Sequence, residues 1–356
     1  PRIKTSIVKM NLSVLKFVFK FCPLYVVLSI VYIFAATFEN LVEVDLIAKA
    51  TKIVMDNEPF NVLVKSLVIH VALIFGMYII MTLYNRYVKA RYMHIYRKKI
   101  QEYLYKKVKK VDMASYDDPD FFDKFTRGLN DAAMRGIRVF ETFTSFLQSV
   151  ATVIALGTYV VIDDPYLILI IISSALINVL VVNRVNKIWH DLWHDAHKDR
   201  RYYWYVNRIF YGQAYAAEIK TTPIRKLLIS KYNEKAQNIE ARYNKAYKDV
   251  AIPNLIHVLS RNMIEQCGSY IYLSYKLFRF ASFGIDKFTT MVNATFKFSN
   301  NFLRAVDVYT ELRDHSLYNQ DFIWILDYEA KVEVDGGEEV KEFKELNIKD
   351  ISFNYS

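Results

Sequence analysis

Residues 66–83 read SLVIHVALIFGMYIIMTL, an uncharged run bounded by Lys65 and Tyr84. A run of this length and hydropathy is typical of a helix that crosses a membrane. After Gly76 the chain contains neither Pro nor Gly until Pro119, so the helical pattern continues to about Asp112. A helix of about 50 residues is about 75 Å long, while the hydrocarbon layer is about 30 Å thick. The sequence therefore predicts a helix that leaves the membrane and projects roughly 40 Å into water.

Similar patterns recur along the chain and predict an all-α membrane domain over residues 1–328. Acidic or turn-forming connections separate the apolar blocks, namely residues 39–61, Asp163-Asp164-Pro165 and Ser282–Gly284. Two interruptions, near Pro119 and near Pro223, separate the predicted polar extensions. The six long helices are predicted at about 14–38, 62–112, 130–162, 166–210, 225–280 and 286–326.

The distribution of charge predicts the orientation in the membrane. The chain has a formal net charge of +10 and is 53% hydrophobic. Residues 1–20 carry five Lys and Arg, and residues 85–138 and 184–249 carry fourteen each, whereas residues 39–61 carry two against five acids. Basic residues in alternate connections follow the positive-inside rule. We therefore expect a multi-pass protein of the cell membrane with a cytoplasmic N-terminus and no nucleic-acid partner, since no nucleic-acid-binding motif accompanies the basic runs.

The composition changes after Asp327. Residues 329–342 are acidic, contain Gly336-Gly337 and are expected to form a linker. Residues 343–356 alternate as a β-strand does, with Ile351, Phe353 and Tyr355 on one side. A single strand is not stable alone, so we expect the rest of an α/β domain to follow it.

Two short segments resemble the coupling segments of a known family. Ser115–Arg127 contains Tyr-Asp-Asp-Pro-Asp-Phe-Phe-Asp, and Tyr211–Lys220 ends in Ala-Glu-Ile-Lys. With the final Ile-Ser-Phe-Asn-Tyr of residues 351–355, their order and spacing along six predicted helices resemble the membrane domain of a type IV ABC exporter, over essentially the whole chain. The resemblance ends where the opening strand of that family's ATPase domain begins.

The resemblance implies export driven by ATP through alternating access. ATP and Mg²⁺ would be bound by the missing domain, with Tyr355 stacking on adenine, and this chain would supply the permease part without catalytic residues. A second half-transporter, identical or homologous, and a peptide, lantibiotic-like or multidrug substrate are implied as partners. The residues implied to couple the membrane domain to the ATPase domain are Asp117, Asp118, Pro119, Phe121, Phe122, Phe125, Tyr215 and Glu218.

Polar residues inside two predicted spanning helices are candidates for a substrate cavity. Arg261 and Glu265 are four residues apart in the fifth helix, a spacing that predicts a pair on one face. Charges in spanning helices are costly and usually face a cavity or a partner. In the sixth helix, the spacing of Asn293, Lys297, Asn300 and Arg304 places them on one stripe. A structural contact between helices is the alternative for both groups.

Other readings remain open at this point. His190, His194 and His197 follow a helical spacing that can hold zinc, but Asp191 stands where a metalloprotease has Glu, and a solvated helix face is favoured over a metal site. The alternative function is a six-helix channel, or a receptor or interaction protein, without an ATPase. Cys22 and Cys267 predict neither a disulfide framework nor a metal pair.

Overall fold

The structure, a computed structural model, describes residues 7–281, 283–328, 345, 349 and 352. Every regular element among these residues is a helix. The α-helices are α1 Ile7–Phe21, α2 Pro23–Met55, α3 Phe60–Leu83, α4 Lys89–Val108, α5 Pro119–Asp163, α6 Pro165–Asp195, α7 His197–Tyr211, α8 Ala216–Thr221, α9 Ile224–Leu259, α10 Gly268–Arg279 and α11 Ile285–Leu326. Apart from residues 345, 349 and 352, the predicted linker and opening strand lie outside the described residues.

Two of the predicted long helices contain short π-helical segments. Tyr84–Val88 joins α3 to α4, and Ser260–Cys267 joins α9 to α10, so each run remains helical throughout. In a π-helical segment the backbone hydrogen bonds join residues five apart instead of four, so each turn holds about one more residue. Some carbonyl groups therefore lose their usual α-helical partner. Both segments therefore change which side chains share a face of the helix.

Four helical stretches are long and apolar enough to cross a membrane. They are Pro23–Met55, Phe60–Val108, Met134–Asp163 and Pro165–Trp189. The helices at 224–279 and 285–326 carry more charge and do not meet the same criterion of length and composition. The helices therefore indicate a membrane protein, with four candidate spans where the sequence predicted six.

The N-terminal helix differs from the predicted helix over residues 14–38. The chain is helical from Ile7 to Phe21, breaks at Cys22 and starts α2 at Pro23, which lacks a backbone N–H and suits the first turn of a helix. The α2 helix then continues to Met55, so most of the predicted outer connection 39–61 is helical. Asn57 ends it in the left-handed region, with φ 47°, and only a short turn leads to α3.

The chain forms two compact units. The first consists of the described parts of Pro1–Val27, Tyr87–Thr142 and Glu311–Ser356. Its core includes Tyr96, Ile100 and Leu104 of α4, all fully buried, and Lys99 Nζ donates to Phe21 O at 2.7 Å. Tyr25 stacks on Tyr92 with ring centroids 5.3 Å apart. Aromatic side chains thus supply much of the packing in this unit.

The second unit consists of Leu28–Arg86 and Phe143–Thr310. Its hydrophobic core joins α2, α5, α6, α10 and α11, and its buried members are Val44, Leu156, Val160, Leu167, Ile171, Leu273, Phe283, Met291, Ala294 and Phe298. Gly157 allows a close approach here, because a Cβ at this position would lie 2.9 Å from the Phe298 ring. Most polar groups considered below lie around this core.

Candidate functional site

Two helical hairpins end in short interrupted tips. In the first, α4 and α5 are joined through the 3₁₀ segment Met113–Asp117, and Lys89 pairs with Glu141 at 2.9 Å between the two helices. In the second, α7 and α9 are joined through the 3₁₀ turn Gln213–Tyr215 and the short helix α8. The predicted interruptions at Pro119 and Pro223 therefore fall at the tips of antiparallel hairpins.

The second hairpin is held together by polar and aromatic contacts. Asp199 of α7 lies 3.5 Å from Lys235 and 3.6 Å from Arg242 of α9. The rings of Tyr203 and Tyr232 are 4.9 Å apart, and the hydrogen bond with Tyr203 raises the pKa of Tyr232. These contacts join α7 to α9, and both helices also carry buried apolar side chains, such as Val206 and Leu228.

The aromatic residues of the first tip do not all face outward. Phe125 is 5% exposed, and Phe121 packs on Trp324 and Tyr328 with centroid distances of 5.1 and 5.5 Å. Phe122 is 49% exposed. Asp117 and Asp118 are exposed, and α5 begins at Pro119. Of the three predicted Phe residues, Phe122 alone is exposed.

The predicted residues of the second tip lie on the surface. Glu218 is exposed in α8, and its carbonyl oxygen accepts a hydrogen bond from Thr222 Oγ1 at 2.6 Å. Tyr215 is half-buried and packs against Gly212, where a Cβ would lie 3.0 Å from the tyrosine ring. A shallow cavity of about 520 Å³ beside this tip is lined by Glu218, Thr222, Pro223, Ile224 and Leu227.

The predicted cavity residues form three separate groups. Arg261 donates a hydrogen bond to Asn300, whereas Glu265 is buried and accepts one from Ser174 Oγ at 3.3 Å. No ion pair between Arg261 and Glu265 is present among the described side chains, because each of the two binds a different partner. Of the remaining three residues, Lys297 contacts α2, Asn293 is half-buried and Arg304 is exposed.

Lys297 belongs to a polar network that joins α2, α3 and α11. Its ammonium group pairs with Glu43 and lies 3.3 Å from Asn40 Oδ1. Asn40 Nδ2 donates to Glu39 Oε2 at 3.1 Å, and Tyr78 OH donates to Glu39 Oε1 at 3.3 Å. Two acids and one base thus meet where α11 contacts α2 and α3, and the latter two helices are apolar enough to span a membrane. Such groups are costly there and mark functional sites by default.

Sequence reasoning missed the acidic half of this network. It placed Glu39 and Glu43 in an outer connection because the segment 39–61 is rich in acids. The overlooked signal is the spacing, since Glu39 and Glu43 are four residues apart and so share one face of a helix. This is the pattern of a helix with one polar face.

A second buried ion pair joins the start of α6 to α10. Asp164 is 1% exposed, and its carboxylate accepts from Lys276 Nζ at 2.8 Å and from Tyr272 OH at 3.1 Å. A cavity of about 620 Å³ opens beside it. The sequence identified Asp164 as a turn residue only, and nothing in the local pattern pointed to Lys276 as its partner.

Two expectations fall outside the described part of the chain. Tyr355, the residue expected to stack on adenine, is outside it, and so are the side chains of His190, His194 and His197. Among the side chains that are described, no group of three or more His, Cys, Asp or Glu residues could hold a metal ion.

A scan against protein-family models finds no match, and a search of curated proteins finds none either. The structure itself indicates a membrane protein. It has helices that are apolar enough to span a membrane, two polar hairpins and networks of charged side chains.

Proposed function

We propose that this chain is the permease part of an ATP-driven exporter of the type IV ABC class. In this proposal, α9–α10 and α11 also cross the membrane, which gives six spans with the N-terminus in the cytoplasm. The hairpins end on the cytoplasmic side. ATP and Mg²⁺ bind to an attached or associated ATPase domain, and two six-helix units together enclose the substrate pathway.

The observation that carries the proposal is the pair of interrupted hairpin tips. An ATPase domain that changes the conformation of a membrane domain needs a stiff connection to it and a small contact surface at the end of that connection. About 27 residues of α9, from Ile224 to Val250, would give a lever about 40 Å long. The salt bridges of Asp199 with Lys235 and Arg242 make α7 and α9 move as one body.

The network around Lys297 supports a pathway that accepts polar substrates. It contains both signs of charge and joins three helices, so a rigid-body movement of α11 relative to α2 would break the contact of Lys297 with Glu43. A peptide offers an ammonium group, a carboxylate and amide groups, each of which finds a complementary group here. We therefore place peptides ahead of purely lipidic substrates.

The sharpest test uses the first tip. Phe122→Ala removes an exposed ring and leaves the packing of Phe121 and Phe125 intact, so folding should be preserved. We expect it to abolish ATP-dependent uptake of labelled peptide into proteoliposomes of the complete transporter, with basal ATP hydrolysis retained. Phe278→Ala is the matched control, because that ring is 91% exposed on α10, far along the chain from either tip.

The outcomes separate the candidate functions. Unchanged transport by the Phe122→Ala variant would contradict the assigned role of this tip. Substrate or ion flux that persists without ATP and in the presence of vanadate would instead indicate a channel, and a protein that neither transports nor conducts would indicate a receptor or interaction protein.

A further inference from the structure

A cluster of buried oxygen atoms lies where the π-helical segment Ser260–Cys267 faces α6. Ser174 Oγ is at its centre, 3.3 Å from Glu265 Oε2 and 3.4 Å from both the hydroxyl and the carbonyl oxygen of Ser260. Asn178 Nδ2 lies 3.4 Å from the same hydroxyl. All four residues are buried. We call this group the oxygen cluster.

The oxygen cluster contains one carboxylate and no basic side chain. Glu265 is 2% exposed, and Arg261, the nearest charged residue on its own segment, donates to Asn300 instead. On α6, residues 167–183 include no charged side chain. On α9, His257 interacts with Asp307, and on α10, Lys276 is bound to Asp164. The described neighbours therefore leave the charge of Glu265 without a counter-charge, a costly arrangement in a low-dielectric environment.

Two further features point to an occupant. Asn178 Oδ1 is buried and has no hydrogen-bond partner, although Asn178 is fully buried beside Ser174. Rotating the amide by 180° exchanges its oxygen and nitrogen and still leaves one of them without a partner. In addition, the π-helical geometry turns the Ser260 carbonyl toward Ser174. The cluster therefore presents oxygen atoms from a carboxylate, two hydroxyls and a carbonyl, and the Asn178 amide lies beside them.

We propose that the oxygen cluster binds one Na⁺ ion. Hard cations prefer oxygen ligands, and interrupted helices within membranes supply carbonyl groups to such ions. A single positive charge neutralises Glu265 and holds the π-helical segment against α6. The proposal does not depend on the exporter function, since it rests only on these four residues and their charge balance.

The test measures the thermal unfolding midpoint of the purified protein in lipid nanodiscs while NaCl replaces choline chloride at constant ionic strength. If Na⁺ occupies the cluster, we expect the midpoint to rise in a saturable manner by about 5 °C, as radiolabelled Na⁺ binds with one-to-one stoichiometry. Glu265→Gln supplies a neutral group of the same shape, so its midpoint should not respond to Na⁺ and its Na⁺ binding should be lost.

Glu240→Gln, an exposed carboxyl on α9, is the control and should match the wild type in every measurement.

Asn178→Leu provides a second variant if Glu265→Gln fails to fold. It removes the buried amide while leaving the carboxylate, so it should weaken Na⁺ binding at least tenfold. The proposal is overturned if the wild type shows no saturable Na⁺ response.

Discussion

Lys297 connects α11 to α2 within a network that also reaches α3. Its side chain is 18% exposed and that of Glu43 is 32% exposed, so the pair is shielded from most of the solvent. Removing one partner of such a pair leaves the other charge unpaired, which costs more than losing an exposed ion pair. The Glu39 carboxylate nearby increases this cost because it adds a like charge beside Glu43.

The first prediction concerns this pair. Lys297→Met should lower the free energy of unfolding by about 1–3 kcal/mol, measured by thermal denaturation in nanodiscs, because it leaves Glu43 without its cation. Lys49→Met is the control, since Lys49 pairs with Asp45 and both side chains are about half exposed. This substitution should lower the free energy of unfolding by less than about 1 kcal/mol. Adding Glu43→Gln to Lys297→Met should restore part of the lost free energy of unfolding. If the effects of the two substitutions on this free energy simply add, the direct pairing is contradicted.

At the scale of elements, α4 and α5 approach closely at a glycine. A Cβ built on Gly136 of α5 would overlap the Tyr96 hydroxyl of α4. Tyr96 is fully buried and therefore has no free volume into which its ring can move. Glycine at this position thus sets the distance between the two helices of the first hairpin.

The second prediction tests that contact. Gly136→Ala should destabilise the protein by about 1–3 kcal/mol, because overpacking forces the helices apart. Gly76→Ala is the matched substitution, as it also lies inside a helix but has nothing within 4 Å of the added methyl group. It should be neutral or stabilise by up to about 1 kcal/mol, since alanine favours the helix over glycine. Equal effects of the two substitutions on the unfolding midpoint would show that helix propensity alone, and not the contact with Tyr96, determines the change in stability.

At the scale of the whole molecule, the number of membrane crossings determines on which side of the membrane each turn lies. Asp56 follows α2 and is exposed, Glu218 is exposed at the second tip, and Ala281 follows α10 and is exposed. Six spans place Asp56 and Ala281 on the outside with Glu218 in the cytoplasm. Four spans, limited to the most apolar helices, leave Ala281 on the same side as Glu218.

The third prediction measures this topology. Single cysteines replace Asp56, Glu218 or Ala281 after Cys22 and Cys267 have been changed to Ser, and intact cells are treated with a membrane-impermeant maleimide. We expect labelling at positions 56 and 281 and none at 218 until the cells are opened. Labelling at 56 but not at 281 would indicate four crossings, and labelling at 218 alone would reverse the proposed orientation.

The sequence by itself determined that the protein is helical, which blocks are apolar enough for a membrane and where the polar hairpins turn, because hydropathy, Pro and Gly act through neighbouring residues. The tertiary structure alone decided which polar groups meet. Lys297 pairs with Glu43 some 250 positions away, and Glu265 contacts Ser174 of α6 rather than Arg261. Such pairings depend on how distant helices pack, which the spacing of neighbouring residues does not encode.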